Sequence, residues 1–116
     1  MFEIEFYCLP NGKKPVEEFL STLEPKMRVK ALDSLDILEE FGNNLREPYS
    51  KYIGEGIFEL RIKFAGDTTR IFYFFFVGNK IILTNGFVKK TIKTPPAEKV
   101  LAKKYKADYE RRNADE

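Results

Sequence analysis

IFELRIKFAGDTTRIFYFFFVGNKIILTNGF, residues 57–87, decides the fold. Its first eight residues alternate, with Phe58, Leu60, Ile62 and Phe64 on one side of an extended chain and Glu59, Arg61 and Lys63 on the other. A period of two belongs to a β-strand, and one apolar side opposite one ionic side belongs to a half-buried strand. Ala65-Gly66-Asp67 supplies a turn, and the chain returns through Thr69 to Val77. Gly78-Asn79 is then a two-residue hairpin signal before a third strand from Lys80 to Phe87. The result is a three-stranded antiparallel meander. Ile71 to Val77 is apolar on both sides, which places it centrally, covered by helices on one face and partly by loops or termini on the other.

Upstream, Phe2-Glu3-Ile4-Glu5-Phe6-Tyr7 alternates again and reads as a first strand, stopped by Pro10-Asn11-Gly12. Val16, Phe19, Leu20 and Leu23 follow Pro15 at the spacing of one buried helix face. Pro25 restarts the chain into a longer helix to about Phe41, with Ala31, Leu35 and Leu38 on a stripe and Gly42-Asn43-Asn44 as its stop. Residues 45–56 show no period and contain Pro48, Gly54 and Gly56, so a connecting loop is expected there. Downstream, Pro95-Pro96 opens a final helix to about Arg112. Its apolar positions Ala97, Leu101, Tyr105 and Tyr109 make a narrow stripe suited to the sheet or to a partner. The order is β-α-α-β-β-β-α: one α+β domain over residues 1–116, a curled antiparallel sheet packed on a helical hairpin, with a C-terminal helix.

At 116 residues, 43% hydrophobic and 33% charged, the chain suits a single core and matches neither a disordered nor a membrane composition. Histidine and tryptophan are absent and Cys8 is the one cysteine. An intrachain disulfide, a Cys/His zinc cluster and a Ser-His or Cys-His catalytic pair are therefore excluded, and no metal or cofactor is expected. Cys8 reads as a small buried side chain. The apolar run Ile71–Val77 is far shorter than the roughly 20 residues of a membrane span. MFEIEFYCLP carries acids where a signal peptide carries a basic start, so a cytoplasmic protein without membrane contact is expected.

The charge is uneven. Residues 1–56 hold seven basic and eleven acidic side chains, whereas residues 57–112 hold thirteen basic and five acidic. A basic half suggests a polyanion partner, because phosphate contacts supply affinity through counterion release; the bland reading is a solvated surface. If the Ala65-Gly66-Asp67-Thr68 turn closes symmetrically, Lys63 lies opposite Arg70, with Arg61 on the same side. Opposed like charges cost a sheet a few tenths of a kcal/mol to about 1 kcal/mol, so the pairing helps only with an anion between them. GFVKKTIKTPP (residues 86–96) adds Lys89, Lys90 and Lys93, with Thr91 and Thr94, where the sheet hands over to the last helix. Arginine suits bidentate phosphate recognition, and lysine is a point charge whose pKa falls when cations crowd it. The alternative is that these cations face water and that Lys89-Lys90 blunts a strand end. Phe72, Phe74, Phe75 and Phe76 read as core in preference to base-stacking surfaces.

The strand Glu59-Leu60-Arg61, the TRIFYFF strand around Arg70, the segment Gly86 to Pro95 and the AEKVLAKKYKADYERR helix together resemble the RelE/ParE superfamily of bacterial toxins, in particular its HigB-like, phage-derived branch. The resemblance extends over the first strand, the helical hairpin and the REPYSK loop. It implies a type II toxin–antitoxin toxin acting as an mRNA interferase, an endoribonuclease that cleaves mRNA on the ribosome without a metal. It also implies a cognate antitoxin, expected to be of helix-turn-helix type, as partner alongside mRNA and the ribosome. By strand position Arg61 and Arg70 take the phosphate with Lys63 assisting. Lys89, Lys90 and Lys93 are candidates for RNA backbone contact and for proton transfer, with Thr91 beside them for RNA contact. Glu59 and Lys90 are equal candidates for the base. The same fold also carries toxins that inhibit DNA gyrase without cutting RNA, so a non-enzymatic inhibitor or adaptor is the alternative.

Overall fold

The computed structural model describes residues 1–115. Glu3–Phe6 forms β1, Pro15–Thr22 forms α1 and Pro25–Phe41 forms α2. Each of these helices opens on a proline, whose missing N–H would have been unpaired in the first turn anyway. A 3₁₀ turn, Gly42–Asn44, ends α2. Then come β2 (Ser50–Gly54), β3 (Ile57–Phe64), β4 (Asp67–Phe76), β5 (Lys80–Lys89) and α3 (Pro96–Arg112). The α+β class is as expected, with the sheet ordered β1-β5-β4-β3-β2. No helix among the described residues is long and apolar enough to cross a membrane.

Three expectations change. Residues 50–54, read as part of a loop, form a strand paired antiparallel with β3. Tyr52 and Ile53 favour extended chain, and Gly54, Glu55 and Gly56 all take positive φ to fold it back onto β3. The sheet is mixed, because β1 lies parallel to β5, with Glu3 beside Lys80 and Phe6 beside Leu83. The direction of β1 is set by the helical crossover to β2 at the far edge, and alternation within a strand carries no information about that. Finally, Phe64 pairs with Asp67, so Ala65-Gly66 is a two-residue turn with φ of 51° and 87°, the primed geometry that matches strand twist. Lys63 therefore faces Thr68, and it is Arg61 that faces Arg70. The shift is by two positions, so both arginines keep the side of the sheet that alternation assigns them.

Helices cover both faces. On one, Val16, Leu20, Met27, Ala31, Leu35 and Leu38 of α1 and α2 pack on Leu60, Ile62, Ile71, Tyr73, Ile81 and Leu83. On the other, Tyr105 and Tyr109 of α3 meet Tyr7, Phe74 and Ile82, and Ala102 meets Ile57, Phe72 and Phe87. Full burial of each Val, Leu, Ile, Met or Phe side chain among them contributes about 1.5–3 kcal/mol. The final helix thus docks on its own sheet, along Ala102, Tyr105 and Tyr109, while Ala97 is exposed and Leu101 half-buried. Two hydrogen bonds fasten its far end. Tyr7 donates to Asp108 Oδ2 at 2.6 Å, and Arg112 donates to the carbonyl of half-buried Cys8 at 2.6 Å. Gly86 is required where α1 meets β5, since a Cβ there would lie 2.5 Å from the Phe19 ring.

Candidate functional site

The β3–β4 register sets two guanidinium groups side by side on the α3 face of the sheet, a pairing that is unfavourable by itself. Glu59, two residues before Arg61 and on the same face, resolves it. Only 1% exposed, its Oε1 accepts from Arg70 Nη1 at 2.5 Å and from Arg61 Nε at 3.2 Å. Its Oε2 accepts from Thr94 Oγ1 at 3.1 Å. The anion that two facing cations demand is therefore supplied by the chain. Glu59 clamps both arginines and the segment leading into α3. Arg70 is buried as well, and its Nε has no partner among the described residues. Arg61 is more open and reaches outward, with Nη1 lying 3.8 Å from Glu47 Oε1.

A bulge in β5 decides which lysine joins them. Ile71 pairs with Gly86 and Tyr73 with Leu83, so Thr84 and Asn85 together oppose Phe72. Strict alternation from Ile82 would bring Lys90 to the α3 face; the extra residue hands that face to Phe87, opposite Arg70, and to Lys89, opposite Thr68. Bulges re-aim side chains in this way. The bulge is held by Thr84 Oγ1 donating to Asn85 Oδ1 at 2.7 Å, and Asn85 Nδ2 in turn donates to Glu98 Oε1 at 3.0 Å in the first turn of α3. Strand end and helix start are thereby fixed relative to each other.

The outcome is a cleft of about 470 Å³ in which Lys51, Arg61, Lys89, Lys93 and Lys99 surround Glu59. Tyr52, Ile53, Ile92, Thr94 and Pro96 complete its walls. Arg70 lies behind it, bonded to Glu59. Lys63 and Lys90 are exposed and outside this lining, and Thr91 is exposed with its hydroxyl donating to the Lys93 carbonyl at 2.6 Å. Five cations against one carboxylate give a site for a polyanion. The Lys89 ammonium is pushed below its ordinary range, first by loss of solvent and then by Arg70, Arg61 and Lys51, with Glu59 opposing. A lysine so placed both attracts phosphate and releases a proton more readily.

Lys51 and Lys99 escaped the sequence reading, the first because β2 did, the second because a lysine on the polar side of a helix carries no distinguishing mark. The available signal was the Gly54-Glu55-Gly56 turn immediately before an unmistakable strand.

No curated protein matches the chain. The model of one family, described as phage derived protein Gp49-like (DUF891), matches residues 18–107, a span that includes every residue of the cleft. That match covers most of the chain, and the protein belongs to the phage-derived Gp49-like family, within the group of RelE-like toxins.

Proposed function

We propose that the protein is the toxin of a type II toxin–antitoxin pair and an endoribonuclease of the HigB and RelE kind, cleaving mRNA on the ribosome. The observation that carries this reading is the gathering of Arg61, Lys89, Lys93, Lys51 and Lys99 around one cleft, with the Glu59–Arg70 pair beneath it. Cleavage of RNA needs no metal when the ribose 2′-OH attacks the neighbouring phosphorus. The 2′ oxygen gives its proton to a base, the new O–P bond closes a cyclic phosphate, the P–O5′ bond breaks and the departing oxygen takes a proton.

Arg61 holds a non-bridging phosphate oxygen and stabilises the charge that grows there. Arg70, whose Nη1 is committed to Glu59, acts as a positioning residue through that carboxylate. Lys89, with its depressed pKa, is better suited than Lys90 to accept the 2′-OH proton, and the Lys93 ammonium stands on the same cleft to protonate the leaving oxygen. Lys51 and Lys99 bind the phosphates on either side. Lys63, Lys90 and Thr91 meet the backbone farther out. A small antitoxin of helix-turn-helix type, opposing this charge, keeps the activity in check.

The test is induced expression in bacteria. Growth should stop, and Arg61→Ala and Lys89→Ala should each restore it while the protein accumulates folded. Undiminished arrest by both variants would remove the nuclease reading and favour inhibition of gyrase, which a supercoiling assay detects.

A further inference from the structure

Behind the edge strand β2, on the side of the sheet away from α3, lies a second cavity of about 360 Å³. Four aromatic rings line it, Tyr52, Phe58, Tyr73 and Phe75. Its polar wall carries Asn43 and Ser50 with the charged Arg46, Glu47 and Lys51. We propose that this cavity receives a nucleobase of the RNA whose phosphates occupy the cationic cleft, a proposal that rests on the nuclease reading of that cleft.

Three observations support this occupant over any other. First, the two sites share walls. Lys51 and Tyr52 line both, and Glu47, a wall of the aromatic cavity, approaches Arg61 of the cleft at 3.8 Å. Because successive residues of a strand point to opposite faces, Lys51 pairs across to Glu59 on the cleft side while Tyr52 pairs to Phe58 on the cavity side. A polynucleotide crossing the β2 edge would meet an ammonium and an aromatic ring in consecutive positions, the alternation its own phosphates and bases require.

Second, the ring of Tyr52 is both open and held. It is 54% exposed, yet its hydroxyl accepts from the Gly56 N–H at 2.9 Å and its ring lies 5.0 Å from that of Phe58. A large exposed aromatic fixed at both ends is a preorganised stacking surface. Third, the deeper walls are rigid, since Phe58 stacks on Tyr73 at 5.5 Å and meets Phe75 edge-on at 5.3 Å. The Tyr73 hydroxyl is hydrogen-bonded to buried Ser50, which fixes that ring, and the exposed Asn43 amide supplies polar atoms for a base edge. The cavity also has the size of an ordinary small-ligand site.

The experiment measures binding of an uncleavable 2′-O-methyl tetranucleotide by fluorescence anisotropy, intact and with an abasic residue at each position in turn. Removal of the base at one position is expected to weaken binding about tenfold, within the range of one base–aromatic stack. Tyr52→Ala should weaken the intact oligonucleotide by a similar factor and leave the abasic one unchanged, whereas Tyr52→Phe should retain nearly full affinity. Equal loss with Tyr52→Ala for intact and abasic oligonucleotides, or no dependence on any base, overturns the cavity proposal and leaves the cationic cleft standing. Absence of binding by any oligonucleotide at low salt overturns both.

Discussion

Glu59→Ala leaves the Arg70 guanidinium 6% exposed with no carboxylate beside it. Removing one partner of a buried ion pair costs about 3–5 kcal/mol, because the remaining charge stays desolvated. Glu59 also accepts from Arg61 and Thr94, so the upper part of that range is expected. For a domain of this size about 1 kcal/mol corresponds to roughly 4 °C, and the variant should melt about 16–20 °C below the parent. Glu59→Gln retains an acceptor for one arginine and loses the charge, and should fall between the two. The double variant Glu59→Leu, Arg70→Met replaces the pair with apolar side chains of similar bulk and should recover most of the loss, since an apolar pair dispenses with the desolvation cost. Urea titrations followed by circular dichroism give all four free energies. A Glu59→Ala loss below about 1 kcal/mol, or a double variant no more stable than Glu59→Ala, would refute the idea that this carboxylate holds two cations together inside the protein.

Gly86→Ala should destabilise by about 1–3 kcal/mol through overpacking, as its Cβ would come 2.5 Å from the Phe19 ring; thermal denaturation measures it, and Phe19→Leu in the same chain should relieve it. The carboxyl of Asp108 is held below 3.8, chiefly by the Tyr7 hydrogen bond and then by Arg111 and Arg112, so its contribution is present above pH 4 and lost as the pH falls through its folded value. Tyr7 is pushed up to about 12, and its contribution is complete below pH 10 and lost as the pH rises toward 12. Tyr7→Phe should flatten both limbs of a stability–pH curve. The Lys89 ammonium should titrate below 10.5 in NMR of dimethylated protein, and Lys51→Gln, which removes one repelling cation, should move it upward.

How far the fold could be read depended on whether the deciding contact was local. Alternation along residues 57–64 and the i, i+4 apolar spacing of the helices are properties of a few consecutive residues, and the structure follows them closely. The pairing of β1 with β5 joins residues almost eighty positions apart and leaves no local trace. Within the site, Arg61 and Arg70 were legible because both sit in strands of regular period. Lys89 and Lys90 were not separable, because the bulge at Thr84-Asn85 inverts the alternation and its cause is a side-chain network with Glu98 of α3. Glu59 reads as a candidate base by chemistry alone, and its bonds to Arg70 and Thr94, made across strands and to the segment before α3, leave no mark in local sequence. Lys63 faces Arg70 only across a four-residue turn, and the turn of two puts Arg61 in that place.

The most direct measurement is the chemistry of RNA ends in cells shortly after the protein is induced. A ribonuclease of this kind should give a burst of new 5′-hydroxyl ends within coding sequences, each matched upstream by a cyclic phosphate, and none when Arg61 is replaced by alanine. Growth arrest without new ends, or ends bearing 5′-phosphates, would contradict it.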